Sequence, residues 1–428
     1  MKIKISNGRV IDPANASDSV QDLFVADGKI AAIGQVPADF TPERTIDAHG
    51  LIVCPGLIDL AARLREPGFE YRATLESEMD AAMAGGVTSL AIPPDTDPPL
   101  DEPGLVEMLC HRAKKLNRAH VYPVGALTIG LKGERLSEMA ELVDSGCVAF
   151  SQSNVPVVDN AVLMRALQYA ATFDFRVWLQ PLAPFLSRGG FAHDGEVASR
   201  LGLPGIPTAA ETVALYTYLQ LAKVTGARLH ITRLSSAEGL GLIEQARSEG
   251  MDITCDVSIN HLHLCDRDIG YFDANCHLVP PLRSERDRDA LRCGLIDGRI
   301  NALCSDHTPV DDDGKLAPFS ESEPGATGLE LLLPLTLKWA RESGLELVQA
   351  LARVTSDPAR IVGIRKAGHL APGARADLCL FDPEEVHRIS RTGLRSQGKN
   401  TPFLGLEMPG RVRYTLVEGQ VMFGDSVQ

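Results

Sequence analysis

What most constrains the fold of this chain is a rhythm in its middle. Short apolar, β-rich runs occur at 51–60, 87–93, 119–126, 147–151, 175–180, 228–234, 252–258 and 300–305. Helical patterns follow them at 73–84, 104–116, 135–144, 159–172, 209–225, 236–249, 284–297 and 328–342. Leu215, Leu219 and Ala222 have the three-to-four spacing of a helix with one buried face, and Leu291 and Leu295 repeat it later. Strands alternating with helices imply a parallel sheet covered by helices. Eight such units predict a (β/α)8 TIM barrel. The competing arrangement, a doubly wound open sheet, lacks support because no Gly-rich phosphate loop follows an early strand.

The two ends of the chain read differently. Lys2-Ile3-Lys4-Ile5, Gly8-Arg9-Val10-Ile11, Asp22-Leu23-Phe24-Val25 and Lys29-Ile30-Ala31-Ala32-Ile33 are short strands, and Asp27-Gly28 is a hairpin signal. Asp377–Phe381, Tyr414–Val417 and Gln420–Phe423 look alike at the other end. Strand-rich ends around a different middle predict a small β-sandwich domain built from both termini. The expected boundaries are 1–52 and 366–428 for its two parts and 53–365 for the barrel.

Lys and Arg number 42 against 56 Asp and Glu, a net charge of −14, so a phosphate backbone would be repelled and nucleic acid is not an expected partner. No apolar stretch is long enough to span a bilayer, and the first residues lack a signal peptide's apolar core. Nine scattered cysteines with no CxxC indicate neither a disulfide framework nor a zinc finger. The expected location is cytoplasmic.

A barrel assembles its chemistry at the C-terminal ends of its strands. There the sequence reads Pro55-Gly56-Leu57-Ile58-Asp59-Leu60, then Leu64-Arg65-Glu66-Pro67-Gly68; further on come Gly202-Leu203-Pro204-Gly205-Ile206-Pro207 with Ala210-Glu211, Pro280-Pro281-Leu282-Arg283, and Asp306-His307. These motifs, in this order, resemble the dihydroorotases of the amidohydrolase superfamily, and Gly368–Asp377 resembles part of that superfamily's composite β domain. The resemblance covers nearly the whole chain. It implies two zinc ions and interconversion of carbamoyl aspartate and dihydroorotate, with a homodimer as the expected oligomer.

The family pattern is His-x-His after the first strand, an Asp or carboxylated Lys after the fourth, and one His each after the fifth and sixth. The matching positions here are Ala61, Arg63, Ser153, Gln180 and Arg233. None is an ordinary zinc ligand, and a guanidinium has only donors and stays protonated, so the family zinc is expected to be absent and no cofactor is expected. Arg65, which the resemblance assigns to the substrate carboxylate, is retained. The family's Asn after the second strand is Asp95, and the Asn before Pro-Pro-Leu-Arg is Val279. Asp306 stands where the family keeps a metal ligand and general base; without an activated water it has nothing to deprotonate.

Other candidates have ordinary structural readings. His307 beside Asp306 would face the opposite way on a strand. His261, His263 and Cys265 alternate and would share a strand face, where a metal site is conceivable. His230 is expected to be hydrogen-bonded within the structure, and Ser235-Ser236 to cap a helix. Two functions follow. The first is a non-catalytic dihydroorotase-like protein with an assembly role, resembling the inactive paralogue that accompanies the catalytic chain of aspartate transcarbamoylase in pyrimidine synthesis. The second is an active amidohydrolase on a cyclic amide, of the dihydroorotase, allantoinase or hydantoinase type, with an atypical site. Whichever holds, Arg63 and Arg233 entering the mouth are expected to bring at least one guanidinium within about 4 Å of Asp306.

Overall fold

A computed structural model describes residues 1–424; residues 425–428 of the expected C-terminal segment lie outside it. The barrel strands are β1 (Leu57–Asp59), β2 (Val87–Ile92), β3 (His120–Ala126), β4 (Ala149–Ser151), β5 (Arg176–Leu179), β6 (Arg228–Ile231), β7 (Ile253–Ser258) and β8 (Ala302–Cys304). They form one eight-stranded sheet in sequence order, every pair parallel. Closure between β8 and β1 is made just beyond the strands, where Ala62 bridges His307 and the Arg63 N–H donates to the His307 carbonyl at 2.9 Å. At the other end residues 353–354 wedge into the seam: Ile58 donates to the Val354 carbonyl and Leu303 to that of Arg353, both at 2.9 Å.

The helices that follow the strands are α1 (Leu75–Ala84), α2 (Pro103–Leu116), α3 (Met139–Asp144), α4 (Asn160–Thr172), α5 (Ala209–Thr225), α6 (Ala237–Ser248), α7 (Glu285–Ile296) and α8 (Leu332–Ser343). Leu215, Leu219 and Ala222 of α5 and Leu291 and Leu295 of α7 are buried, as their spacing requires. Each such leucine contributes about 1.5–3 kcal/mol by leaving water. Ser236 caps α6, its hydroxyl accepting from the Gly239 N–H at 3.0 Å. Two helices start later than their apolar pattern. Before α8, the N–H groups of Gly328 and Leu329 donate to His307 Nδ1, which draws Leu329–Leu331 into a tighter 3-10 turn. Before α3, the Ser137 hydroxyl donates to the Ala126 carbonyl and holds 135–138 as a loop.

Both chain ends combine in a second sheet. Leu378–Arg388 pairs antiparallel with Ile52–Pro55 and with Glu407–Val417, while Lys2–Asp12 lies on the other side of Ile52–Pro55. The sheet therefore runs through Pro55, past the boundary expected at 52, and only Gly56 separates it from β1. Lys2–Ile5 and Gly8–Ile11, read as two strands, are one strand with an irregularity between Ile5 and Gly8. Asp27 and Gly28 both take positive φ (50° and 74°), the geometry of a tight hairpin turn between Ser17–Ala26 and Lys29–Ile33. Among the described residues no helix is long and apolar enough to cross a membrane.

Candidate functional site

Two arginines and an aspartate converge on the mouth of the barrel. Arg63 follows β1, Arg233 follows β6, and Asp306 follows β8; all three are about 95% buried. Arg63 Nη1 lies 3.4 Å from Asp306 Oδ1 and Arg233 Nη1 lies 3.2 Å from the same oxygen. The expected pairing therefore occurs on both sides. Arg63 also donates through Nε to Asp95 Oδ2 at 2.8 Å and through Nη1 to the Thr308 hydroxyl at 3.0 Å. Arg233 donates to the Val279 carbonyl at 3.2 Å and to Gln180 Oε1. Asn154 joins the two, its Oδ1 accepting from Arg63 Nη2 at 3.3 Å and Arg233 Nη2 at 2.6 Å.

Arg65 stands apart from the cluster. Its Nε donates to the Pro309 carbonyl at 2.9 Å, and burial together with the charge of Arg63 lowers its pKa to about 10. Asp59 also lies outside the arginine network. It accepts from the Ser305 N–H at 2.8 Å and from the Ser305 hydroxyl, and burial raises its pKa despite those bonds. Ala61 is buried with Ala91, Ala149 and Ala302 around Trp178, which fills the barrel interior.

Burial raises the pKa of Asp306 from its ordinary value, with Arg233 and Arg63 pulling the other way. For Asp95 burial also pushes upward, but the charge and hydrogen bond of Arg63 outweigh it and the pKa falls. Asp95, which stands at the family's Asn position, is thus a carboxylate already paired with a guanidinium. Val279, which offers no side-chain acceptor, supplies its main-chain oxygen instead.

The zinc pair implied by the family resemblance needs imidazoles and carboxylates. Ala61, Arg63, Ser153, Gln180 and Arg233 offer a methyl group, two guanidiniums, a hydroxyl and an amide, and this set does not fit it. Among the described residues no group of three His, Cys, Asp or Glu side chains is placed to hold a metal ion. His261 and His263 do not share a strand face, because β7 ends at Ser258 and Ile259–His263 is a short helix that Ser258 caps. The two rings reach different carbonyls, His261 that of Pro281 at 3.1 Å and His263 that of Leu335 at 2.9 Å, and burial lowers both pKa values to about 4.

The other candidates, His307, His230, Ser235 and Ser236, make hydrogen bonds within the structure. His307 points away from the mouth; its Nδ1 accepts main-chain N–H groups, so Nε2 carries the proton that it donates to Glu78 Oε2 at 2.6 Å. His230 bridges the Thr254 hydroxyl and Asp256 at 2.9 and 2.8 Å inside the barrel. Glu211, part of the motif near 202–211, accepts from the N–H and hydroxyl groups of both Ser235 and Ser236. Arg283 donates to the Ser235 hydroxyl at 3.1 Å and the Ile206 carbonyl at 2.7 Å, so these motif residues tie the loops at the mouth together. Sequence reasoning missed Asn154 and Thr308. Asn154 follows Ser153 directly at the end of β4, which was the available signal.

Comparison with known proteins agrees with this architecture. Residues 50–239 match the dihydro-orotase-like family and residues 302–423 the amidohydrolase family. The chain is 47% identical over 421 residues to a dihydroorotase-like protein of Pseudomonas aeruginosa, covering 98% of this chain and 99% of that one. It is 40% identical over 428 residues to a dihydroorotase of Syntrophus aciditrophicus, covering 99% of each. Among solved structures, an L-hydantoinase (dihydropyrimidinase) from Arthrobacter aurescens superposes with a TM-score of 0.89 at 25% identity, over 100% of this chain and 97% of that one.

Proposed function

Because the chain belongs to the dihydroorotase-like family of amidohydrolases, we propose that it is a non-catalytic member of it, with a structural role in de novo pyrimidine biosynthesis as an assembly companion of the aspartate transcarbamoylase catalytic chain. The observation that carries this reading is the placement of two guanidiniums on Asp306 Oδ1, at 3.4 and 3.2 Å. Hydrolysis of a cyclic amide in this family depends on a metal-activated hydroxide and a carboxylate free to take its proton. Here the carboxylate is spent on two cations. A divalent ion beside them would be repelled by both, at distances where burial strengthens the repulsion. The assembly role rests on the resemblance to the inactive paralogue alone.

Two measurements test the proposal. Elemental analysis after dialysis is expected to find far less than one zinc per chain, and neither direction of the dihydroorotate reaction should turn over. Stoichiometric zinc, or turnover that survives controls for a contaminating host enzyme, refutes the inactivity. Co-expression with an aspartate transcarbamoylase catalytic chain should give one co-eluting peak in size-exclusion chromatography at micromolar concentration. Separate elution refutes the partnership. The second reading, an active amidohydrolase on a cyclic amide, is favoured by the relative at 40% identity that carries the name dihydroorotase and by the likeness to L-hydantoinase. Assaying hydantoin and allantoin beside dihydroorotate separates it from the first.

A further inference from the structure

At the end of the barrel opposite the mouth, the first residues of β5, β6 and β7 border a cavity of about 420 Å3. Arg176 and Arg228 open β5 and β6, and Arg353 and Arg360 reach the same space from the segment around helix Ser356–Val362. A second cavity of about 930 Å3 shares these four guanidiniums, and its further wall includes Pro13, Ala352 and Ile364. In the smaller cavity four guanidiniums face two carboxylates, Asp252 and Asp357, an excess of two positive charges in a chain whose net charge is −14. Asp174 adds a third carboxylate at the larger one and Arg365 a fifth guanidinium, so the excess across both cavities stays at two.

The four cations are not equivalent. Arg228 is committed to Asp252 at 2.9 Å and Asp174 at 3.1 Å. Arg353 holds Asp357 at 2.7 Å, and Arg360 shares that carboxylate. Arg176 has no carboxylate partner among the described residues. Its Nη1 donates to the carbonyls of Arg360, at 3.0 Å, and Ile361, which leaves the rest of its donor fork for another acceptor. Burial and the neighbouring Arg228 lower its pKa, and the more distant charges of Asp252 and Asp174, both paired with Arg228, offset this only in part. The space beside it is kept by Gly363, at φ 90°, where a Cβ would come within 3.0 Å of Arg176 Nη1.

We propose that this cavity binds a small phosphorylated metabolite, with the phosphate on Arg176 and Arg360 and the uncharged remainder along the adjoining cleft. The planar N–H forks of arginine match phosphate oxygens two at a time, and the charge excess matches a phosphate dianion. Arg360 can turn to the ligand at little cost, since its side chain is 77% exposed and exposed ion pairs contribute about 0–1 kcal/mol. The two volumes fall in the range of about 300–1,000 Å3 usual for small-molecule sites.

The test uses the full chain, with inorganic phosphate and ribose 5-phosphate as probes, followed by isothermal titration and by the melting temperature at constant ionic strength. Both probes should raise the melting temperature saturably where chloride does not, with ribose 5-phosphate the tighter. Arg176→Gln should weaken binding at least about tenfold, equivalent to about 1.4 kcal/mol. Arg360→Gln, an exposed change that leaves the fold intact, should weaken it in the same direction. Arg65→Gln at the mouth should leave it unchanged. Circular dichroism melts without phosphate establish that each variant is folded. No saturable response up to about 10 mM phosphate, far weaker than the millimolar affinity of even a poor specific site, overturns the proposal. So does binding that is lost in Arg65→Gln and kept in Arg176→Gln. Equal affinity for the two probes overturns the role of the cleft.

Discussion

Removing the Arg233 side chain tests whether the mouth of the barrel is held by charge pairing. In Arg233→Ala, Asp306 loses the nearer of its two guanidiniums and keeps Arg63 at 3.4 Å. Breaking a buried ion pair by deleting one partner costs about 3–5 kcal/mol, and the retained Arg63 places this case near 3. The Val279 carbonyl and Gln180 Oε1 also lose their donor, which adds about 1 kcal/mol. The expected loss is about 4 kcal/mol. With an unfolding entropy of about 2.1 cal/mol/K per residue, a chain of this length carries about 0.9 kcal/mol/K, so the melting temperature should fall by about 4–5 °C. Scanning calorimetry measures it directly. The double variant Arg233→Met/Asp306→Leu should recover part of the loss, because it removes both desolvated charges while Arg63, which loses Asp306, keeps Asp95 as its partner. Melting of Arg233→Ala within about 1 °C of the parent would refute the argument, since the guanidinium would then be contributing no more than an exposed pair.

Three further outcomes follow from the same geometry. The pKa of Asp95 is lowered by Arg63, so its pairing contributes stability that is full above the unfolded value of about 3.9 and is lost as pH falls through the folded value; the difference in urea midpoint between Asp95→Asn and the parent should therefore be constant near neutrality and close on acidification. Ala61→His with Arg63→His should not restore dihydroorotate turnover or zinc content, because Ser153, Gln180 and Arg233 still stand at the other three ligand positions. Glu78→Ala should cost about 3 kcal/mol in equilibrium denaturation, because it strands the buried donors of His307 and Ser396 and removes the acceptor of the Gln397 N–H at the edge of the site.

The barrel was legible because helix faces and buried strands write their periodicity into neighbouring residues: α5 and α7 lie within a residue of where their leucines put them. Arg63, Arg233 and Asp306 were legible for a related reason, since each sits just past a strand end, and strand ends of a barrel converge. The hydrogen-bond partners were less so. Thr308 and Asn154 are marked only by standing next to strand-end motif positions, and the Val279 carbonyl is a main-chain acceptor that any residue type could supply. His261 and His263 misled because alternation signals a shared face only while the strand lasts, and β7 stops at Ser258 where the serine caps a helix. The arginines under β5 and β6 are not marked as a site by the sequence, because they stand at strand starts, where a barrel seldom keeps its chemistry.

The backbone at the mouth bears on what this site is for. Arg65, Ser153, Arg233 and Asp306 all take positive φ, at 63°, 52°, 54° and 49°. For residues with a Cβ this conformation costs about 1–2 kcal/mol each, and such strain persists where the surroundings impose it. The surroundings are visible: the Arg233 N–H donates to Asp256 Oδ1 at 2.8 Å, the Ser153 N–H to the Ser151 hydroxyl at 3.0 Å, and the Thr308 hydroxyl to the Asp306 carbonyl at 3.0 Å. Strained strand ends turn side chains inward, and here the side chains turned inward are guanidiniums. If the conformation is imposed by the frame, glycine at 233 keeps the frame and escapes the Cβ penalty, whereas alanine keeps the penalty. Arg233→Gly should therefore be about 1 kcal/mol more stable than Arg233→Ala, the reverse of their order at an ordinary position. Chemical denaturation of the two variants side by side measures the difference. Alanine proving the more stable of the two would mean that the turn relaxes when the guanidinium is removed, and that Arg233 itself, through Asp306, holds the strand end in place.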